Sequence, residues 1–365
     1  MIPRGADSAS HVPADSTGAA QTIAAPAGAC YAAAVPFNHI LGQATAIATL
    51  ETALRGGRVH HAYRFEGPDG TGKELAAFAL AQALVCNAGE VLGCGRCDAC
   101  RRAVTFSDER PRSPHHPDVM IIERAFYPPE TFTPPKNEAT QVSIEQIRTI
   151  VLAHAAYPAH EGRARVFIVR RAEELSVGAA NAMLKTLEEP RNGTHFILLT
   201  ARPDRLLDTI RSRTLPVRFA PLPDDVVRSI LRGHDVPEDR HDLAVELAAG
   251  SASLALELVD EERTALRDAF VSEALAAVSA RDLGPAVAFA ESRDKDKDQL
   301  KDDLRALAAS LARQARQSVD HAPRAAGIAA KRYEAVAKAV SNLDRNASAP
   351  LMMIAMIQDM REALG

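Results

Sequence analysis

Gly67-Pro68-Asp69-Gly70-Thr71-Gly72-Lys73-Glu74 is the stretch from which the rest of the chain is read. Its spacing is that of G-x-x-x-x-G-K-[ST], a phosphate-binding loop between a strand and a helix. In such loops glycines let backbone N–H groups close around phosphates, the lysine reaches the β- and γ-phosphates, and the final hydroxyl ligates Mg²⁺. Here Glu74 stands where the hydroxyl belongs. The flanks suit the motif: Ala62–Glu66 reads as a buried strand and Lys73–Val85 as a buried helix rich in Ala, Leu and Phe. Gly67, Gly70, Gly72 and Lys73 are thus the candidate residues of a weakened or vestigial ATP site, one that could hold phosphate or nucleotide without productive Mg²⁺.

Working outward, four more short apolar runs read as strands: Asp118–Glu123, Val166–Val169, His195–Thr200 and Leu215–Phe219. Helical patterns cover Ala44–Arg55, Lys73–Val85, Ser143–His154, Val177–Glu188 and Pro203–Arg211. Strands alternating with helices predict an α/β fold with a doubly wound parallel sheet. The Pro-rich segment Phe126–Pro135 reads as a surface loop. From Pro221 onward the strands stop, and Ala/Leu-rich helical patterns take over at Asp224–Arg232, Arg240–Ala249, Glu261–Ala280, Gly284–Ser292, Leu300–Ser318, Ala325–Leu343 and Ala349–Ala363, with Gly250-Ser251 as a break. The mixed charge run Arg293–Asp303 reads as a solvated helix face or loop. The expected layout is a disordered tail over 1–35, an α/β domain over 36–220, a small helical lid over 221–262 and an all-helical domain over 263–365.

A chain of 365 residues can bury a sizeable core. No apolar run approaches the roughly 18–20 residues of a membrane span, and the tail lacks the apolar core of a signal peptide. A cytoplasmic protein without membrane contact is expected. The net charge of −4 supplies no global attraction to nucleic acid. Four of the five cysteines fall within Cys86-x₇-Cys94-x₂-Cys97-x₂-Cys100. Clustered cysteines in a chain without an export signal favour metal over disulfides. Four thiolates describe a closed, structural tetrahedral zinc site with no position for a catalytic water. Iron–sulfur binding would also take four cysteines, although the spacing departs from ferredoxin runs. Cys30, in the tail, reads as an incidental thiol.

A working P-loop ATPase needs an acid for Mg²⁺ and commonly a second to orient water, at the end of a neighbouring strand. The strand Val166–Val169 instead ends in Arg170-Arg171, two positive charges that would attract anions. The strand Asp118–Glu123 offers only Glu123.

The set as a whole resembles the bacterial sliding-clamp loader family of AAA+ proteins. The residues that carry the likeness are the loop followed by four cysteines, His116-Pro117-Asp118-Val119, Glu161-Gly162-Arg163-Ala164-Arg165-Val166 and Arg170-Arg171-Ala172-Glu173-Glu174-Leu175. Ala179-Ala180-Asn181-Ala182-Met183-Leu184-Lys185-Thr186-Leu187-Glu188-Glu189-Pro190 is specific to that family, and Phe196–Thr200 and Thr209-Ile210-Arg211-Ser212-Arg213-Thr214 follow in its order. The resemblance is dense from Phe37 to Phe219 and thinner beyond.

The family's ATP-hydrolysing gamma/tau subunits carry an intact loop, an acidic pair and a sensor arginine. Here those become Glu74, Arg170-Arg171 and Leu254 within Gly250-Ser251-Ala252-Ser253-Leu254. These departures resemble the family's non-hydrolysing stator type of subunit. Ser212-Arg213-Thr214 resembles its Ser-Arg-Cys motif, which implies that Arg213, with Ser212, serves as an arginine finger on a neighbour's ATP. Thr200 falls at the first sensor position. The implied partners are gamma/tau and delta subunits of the DNA polymerase III holoenzyme, the sliding β clamp and, through the complex, primer–template DNA. The C-terminal helices would join a ring-closing collar. An active gamma/tau-type ATPase and a zinc-dependent nucleic-acid-binding protein are the competing readings.

Overall fold

The computed structural model describes residues 37–363, apart from 110, 133–140, 162, 192, 281, 293–296 and 345–347. The tail over 1–35 with Cys30, the end of the Pro-rich loop and the start of the charge run lie outside the described residues.

Strands β1 (Ala62–Glu66), β2 (Val119–Ile122), β3 (Arg165–Val169), β4 (Thr194–Thr200) and β5 (Leu215–Arg218) form one parallel sheet. Their order is β2-β3-β4-β1-β5. Each lies on an apolar run that predicted it, within about a residue at each end. A parallel sheet is covered on both faces, so its strands are apolar at successive positions. All five residues of β3 are buried. Tyr63, Phe65, Val166, Ile168, Ile197 and Leu199 share one core with α1 (Ala44–Arg55) and α2 (Lys73–Val85). Ala62, Phe167, Val169, Phe196 and Leu198 belong to the other, which holds the residues of later helices. The expected double winding is therefore present. Helix α2 is buried almost all round, which is why its sequence shows no amphipathic stripe.

Helix α3 (Asp98–Val104) follows inside the cysteine segment. It went unpredicted because its seven residues are too few to display a period. The helix expected over Ser143–His154 is α4 (Ile144–Gln146) and α5 (Ala153–Ala155), joined by a π-helical stretch, Ile147–Leu152. Ser143 caps it, its Oγ accepting from the Gln146 N–H at 3.2 Å. Helix α6 (Val177–Glu188) matches its expectation. The helix expected over Pro203–Arg211 is broken into a 3₁₀ turn, Pro203–Arg205, and α7 (Asp208–Arg211). Between them Leu206 and Leu207 adopt extended ψ values of 143° and 139°, and Leu206 is buried in the second core.

The chain divides into two compact units between Pro237 and Glu238. The first ends with α8 (Asp224–Gly233). The second is all-helical among its described residues: α9 (His241–Ala248), α10 (Ala252–Val259), α11 (Glu261–Ser279), α12 (Gly284–Glu291), α13 (Lys297–Ser318), α14 (Pro323–Asp344) and α15 (Ala349–Glu362). Its core includes Phe270, Leu304, Leu307, Val336, Met353 and Ile357. Gly250-Ser251, read as a break, is also a helix start. The Ser251 Oγ accepts from the Leu254 N–H at 3.2 Å and caps α10. The charge run Arg293–Asp303 is not wholly solvated: Leu300 and Asp303 are buried along α13.

Candidate functional site

The loop Gly67–Glu74 leaves the C-terminal end of β1, between the ends of β4 and β5. Ligands of open α/β sheets bind at that end of the strands. The Gly67 N–H donates to the Thr200 carbonyl at 3.2 Å, and the Phe219 N–H donates to the Glu66 carbonyl at 2.7 Å. Gly67 has φ +151°, and a Cβ there would lie 2.1 Å from the Phe219 oxygen. Glycine is a steric requirement at this position. Gly70 and Gly72 take φ values of 73° and 92°, which curl the loop into α2.

Lys73 does not project outward. It is buried, and its ammonium donates to the carbonyls of Gly67 and Pro68 at 2.6 and 2.5 Å, with Asp69 3.6 Å away. Burial lowers its pKa from the ordinary value, against the pull of Asp69. Thr71 closes the same loop by donating to the Pro68 carbonyl at 2.9 Å. The loop's own carbonyls thus take up the charge that a phosphate would meet.

Glu74 sits in the first turn of α2, where the helix dipole favours a carboxylate. It is ion-paired with Arg170, just beyond β3, and Arg170 also pairs with Glu123 at 3.0 Å, just beyond β2. Burial opposes the Arg170 charge, and the two carboxylates outweigh it, raising its pKa above the ordinary value. Arg170 is therefore not available to attract anions as the sequence suggested: its charge is spent inside the protein. The strand neighbouring β1 on that side is β4, and β3 stands one strand further away. Arg170 spans the gap because a long side chain meets a glutamate reaching back from α2. Glu123 escaped notice as a partner because it belongs to a different strand, 47 residues away. Arg171 has φ +44° and lies 3.6 Å from Glu174. Thr200 is buried, and its Oγ1 accepts from the Arg202 N–H at 3.0 Å. Leu254 lies in the second unit, in the first turn of α10.

Ser212 and Arg213 follow α7 on the first unit's surface. Arg213 donates to Glu188, the last residue of α6, at 2.7 Å from Nε and again from Nη2. Its Nη1 donates to the Thr209 carbonyl at 3.0 Å and to Ser212 Oγ at 3.2 Å. Beneath it, Thr214 is buried and donates to the Ile210 carbonyl at 2.9 Å. Arg64 of β1 donates to Thr214 Oγ1 at 2.7 Å and to the Arg211 carbonyl at 2.9 Å, so the turn is anchored to the sheet. Arg64 was legible as an anomaly, a charge inside the apolar run of β1. A surface cleft of about 320 Å³ opens beside Arg213, lined by His60, His61, Ser212 and Leu215 among others.

The structure brings Cys86, Cys94, Cys97 and Cys100 together, with all four sulfurs within 4.8 Å of one another. Sulfurs bound at about 2.3 Å to one tetrahedral ion stand about 3.8 Å apart. The Cys94 and Cys100 sulfurs are 3.9 Å apart, so the cluster fits a tetrahedral metal. Cys86 and Cys100 are buried, and backbone N–H groups of Cys94 and Cys97 point at the sulfurs of Cys86 and Cys94 at 3.4 and 3.2 Å. Burial raises the Cys97 pKa, but N–H donors and neighbouring thiols outweigh it and bring it down to about 6. Gly93, at φ +82°, lets the knuckle pack on α2, where a Cβ would come within 3.0 Å of the Ala83 nitrogen.

A partly buried network, centred on Asp118 and Arg165, fastens this module to the sheet. Arg163 donates to the Cys86 carbonyl, and Arg102 of α3 donates to both carboxylate oxygens of Glu161. The N–H groups of His160 and Glu161 both donate to the Asp118 carboxylate at 2.7 Å, and Arg165 pairs with it at 2.9 Å. His116 is buried beside them, and burial lowers its pKa. His60 and His61 stack at 4.3 Å between ring centres.

With this geometry in view, comparison with known proteins is specific. The family model described as "DNA polymerase III, delta subunit" matches residues 42–223. The DNA polymerase III subunit gamma/tau of Mycobacterium tuberculosis is 31% identical over 243 residues, covering 65% of this chain and 38% of that protein. The DNA polymerase III subunit delta' of Bacillus subtilis is 32% identical over 187 residues, covering 51% and 50% respectively. The match thus spans half or less of either relative's length. Among solved structures, a DNA polymerase III gamma subunit-related protein from Thermotoga maritima aligns with a TM-score of 0.47 at 17% identity, over 87% of this chain and 99% of that one. Among the described residues, no helix is long and apolar enough to cross a membrane.

Proposed function

Because the chain belongs to the clamp-loader family of DNA polymerase III subunits, we propose that it is a delta-prime-type subunit that hydrolyses no ATP itself. The observation that carries this reading is the ion-paired set Glu74–Arg170–Glu123. Mg²⁺ bound at such a loop needs a hydroxyl from the loop and a free carboxylate from a nearby strand end. Here a carboxylate replaces the hydroxyl, and an internal guanidinium pairs with both Glu74 and Glu123. Lys73, turned onto Gly67 and Pro68, adds a second obstacle to phosphate.

In this reading the subunit is a stator of the clamp loader and works cytoplasmically with gamma/tau and delta subunits to place the sliding β clamp on primed DNA. Residues 221–262 act as a lid and 263–365 contribute to the collar. Arg213, with Ser212, reaches a neighbouring subunit's ATP, where an arginine supplied in trans is worth about 10³–10⁵ in rate in related phosphoryl transfers. The position of Ser212, exposed, and Arg213, partly open to solvent, at an anchored turn supports that role. Zinc, held by Cys86, Cys94, Cys97 and Cys100, would supply only structural cross-linking, since four protein ligands leave no open position.

The test is ATP turnover by the purified chain with Mg²⁺, paired with calorimetric titration of ATP and ADP with and without the metal. No turnover, and no strengthening of binding by Mg²⁺, are expected. Sustained Mg²⁺-dependent hydrolysis that Lys73→Ala abolishes would overturn the reading in favour of a gamma/tau-type ATPase.

A further inference from the structure

Arg213 is held largely by its own chain. A guanidinium has five N–H bonds, and four of Arg213's are spent inward: two on Glu188, one on the Thr209 carbonyl and one on Ser212 Oγ. One remains for an outside acceptor, whereas recognition of a phosphate by arginine is characteristically bidentate. The holder is a single carboxylate at the end of α6, partly open to solvent, with side-chain exposures of 32% for Arg213 and 48% for Glu188. An ion pair this exposed is weak and reversible. The cleft beside it gives a polyanion room to approach.

We propose that Glu188 is a positioning residue that keeps Arg213 folded onto its own subunit until a nucleotide polyphosphate presented by an adjoining subunit displaces it. The inference rests on the arginine-finger reading of Arg213. The competition is between one carboxylate and a phosphate group of higher charge, so the pair sets a threshold and leaves the engaged state intact. Glu188 therefore acts on the apparent affinity for ATP and leaves the maximal rate alone. Two positions on separate elements, the end of α6 and the turn after α7, make the device: Glu188 and Arg213 are 25 residues apart in sequence.

The experiment is steady-state ATP hydrolysis by the reconstituted clamp loader, with clamp and primed DNA, across ATP concentration. It compares the native chain with Glu188→Gln, Glu188→Asp, Arg213→Ala and the double variant Glu188→Gln/Arg213→Ala, with Glu188→Ala in reserve should Glu188→Gln fail to assemble. Glu188→Gln is expected to lower the half-saturating ATP concentration about two- to fivefold, the range an exposed pair carries, with kcat unchanged. Glu188→Asp should lie close to native, and the double variant should match Arg213→Ala. If Arg213→Ala slows turnover while Glu188→Gln leaves half-saturation unchanged or raises it, the holding role is wrong. An effect of Glu188→Gln that persists on the Arg213→Ala background also overturns it. Undiminished turnover by an assembled Arg213→Ala complex instead removes the finger reading beneath it.

Discussion

Removing the Arg170 guanidinium, which ties Glu74 at the end of the Gly67–Glu74 loop to Glu123 beyond β2, should cost more than an ordinary surface charge. In Arg170→Ala, Glu74 and Glu123 lose their shared cation and face one space as two carboxylates. The side-chain exposures are 21% for Arg170, 36% for Glu74 and 28% for Glu123. Breaking a fully buried pair costs about 3–5 kcal/mol, and an exposed one under about 1 kcal/mol. Intermediate exposure with two partners places Arg170→Ala at about 2–3 kcal/mol by interpolation between those limits. For a unit of this size that is a fall of about 4–12 °C in Tm. The assay is thermal unfolding by calorimetry on the native chain, Arg170→Ala, Glu74→Ala and the double variant. The double variant should be less destabilised than the sum of the singles, by about 1 kcal/mol, because Glu74→Ala removes one of the stranded charges. A Tm within a degree of native for Arg170→Ala, or strictly additive singles, would refute the idea that this guanidinium holds the loop to the sheet.

Two further outcomes concern the cysteine cluster and the Asp118 network. Cys97→Ser should reduce bound zinc from about one equivalent to well below it by elemental analysis and markedly lower the Tm, since structural zinc is worth roughly 10–16 kcal/mol in small peptides; unchanged metal content and Tm would count against the four-sulfur site. For Asp118, burial would raise the carboxyl pKa, but the N–H groups of Glu161 and His160 and the Arg165 guanidinium hold it below the ordinary 3.8. A depressed folded-state value stabilises fully above the unfolded pKa, and that contribution is lost as pH falls through the folded one. Denaturant unfolding should therefore show stability dropping below about pH 4, and Asp118→Asn should lose about 3 kcal/mol at pH 7 and flatten that limb. An Asp118→Asn protein with native stability at pH 7 would contradict the network.

The five strands, α1, α2 and α6 were legible in order because apolar runs and helical periods are local signals carried by consecutive residues. The same locality explains the misses. Helix α3 is too short to show a period, α10 hides behind a Gly-Ser pair that serves as its cap, and the Pro203–Arg211 helix breaks where Leu206 enters the core. The four cysteines were readable as a ligand set because their spacing is itself nearly a geometry.

By itself, then, the sequence determined the parallel α/β class, the glycine-lined loop at the end of β1, the cysteine cluster and the family. It also marked Glu74, Arg170 and Arg213 as the residues to watch. Only the tertiary structure decided what those residues do to one another. Arg170 could be read as a free anion-attracting charge until the sheet order brought it to Glu74, 96 residues away, and to Glu123 beyond β2. Lys73 carries the motif's identity in sequence, yet its ammonium is turned onto Gly67 and Pro68. Arg213 is closed off by Glu188 at the end of a different helix. The physical reason is common to all three: periodicity and motif spacing are properties of neighbouring residues, whereas the partner of a long charged side chain is set by strand order and by which helix ends meet at the rim of the sheet.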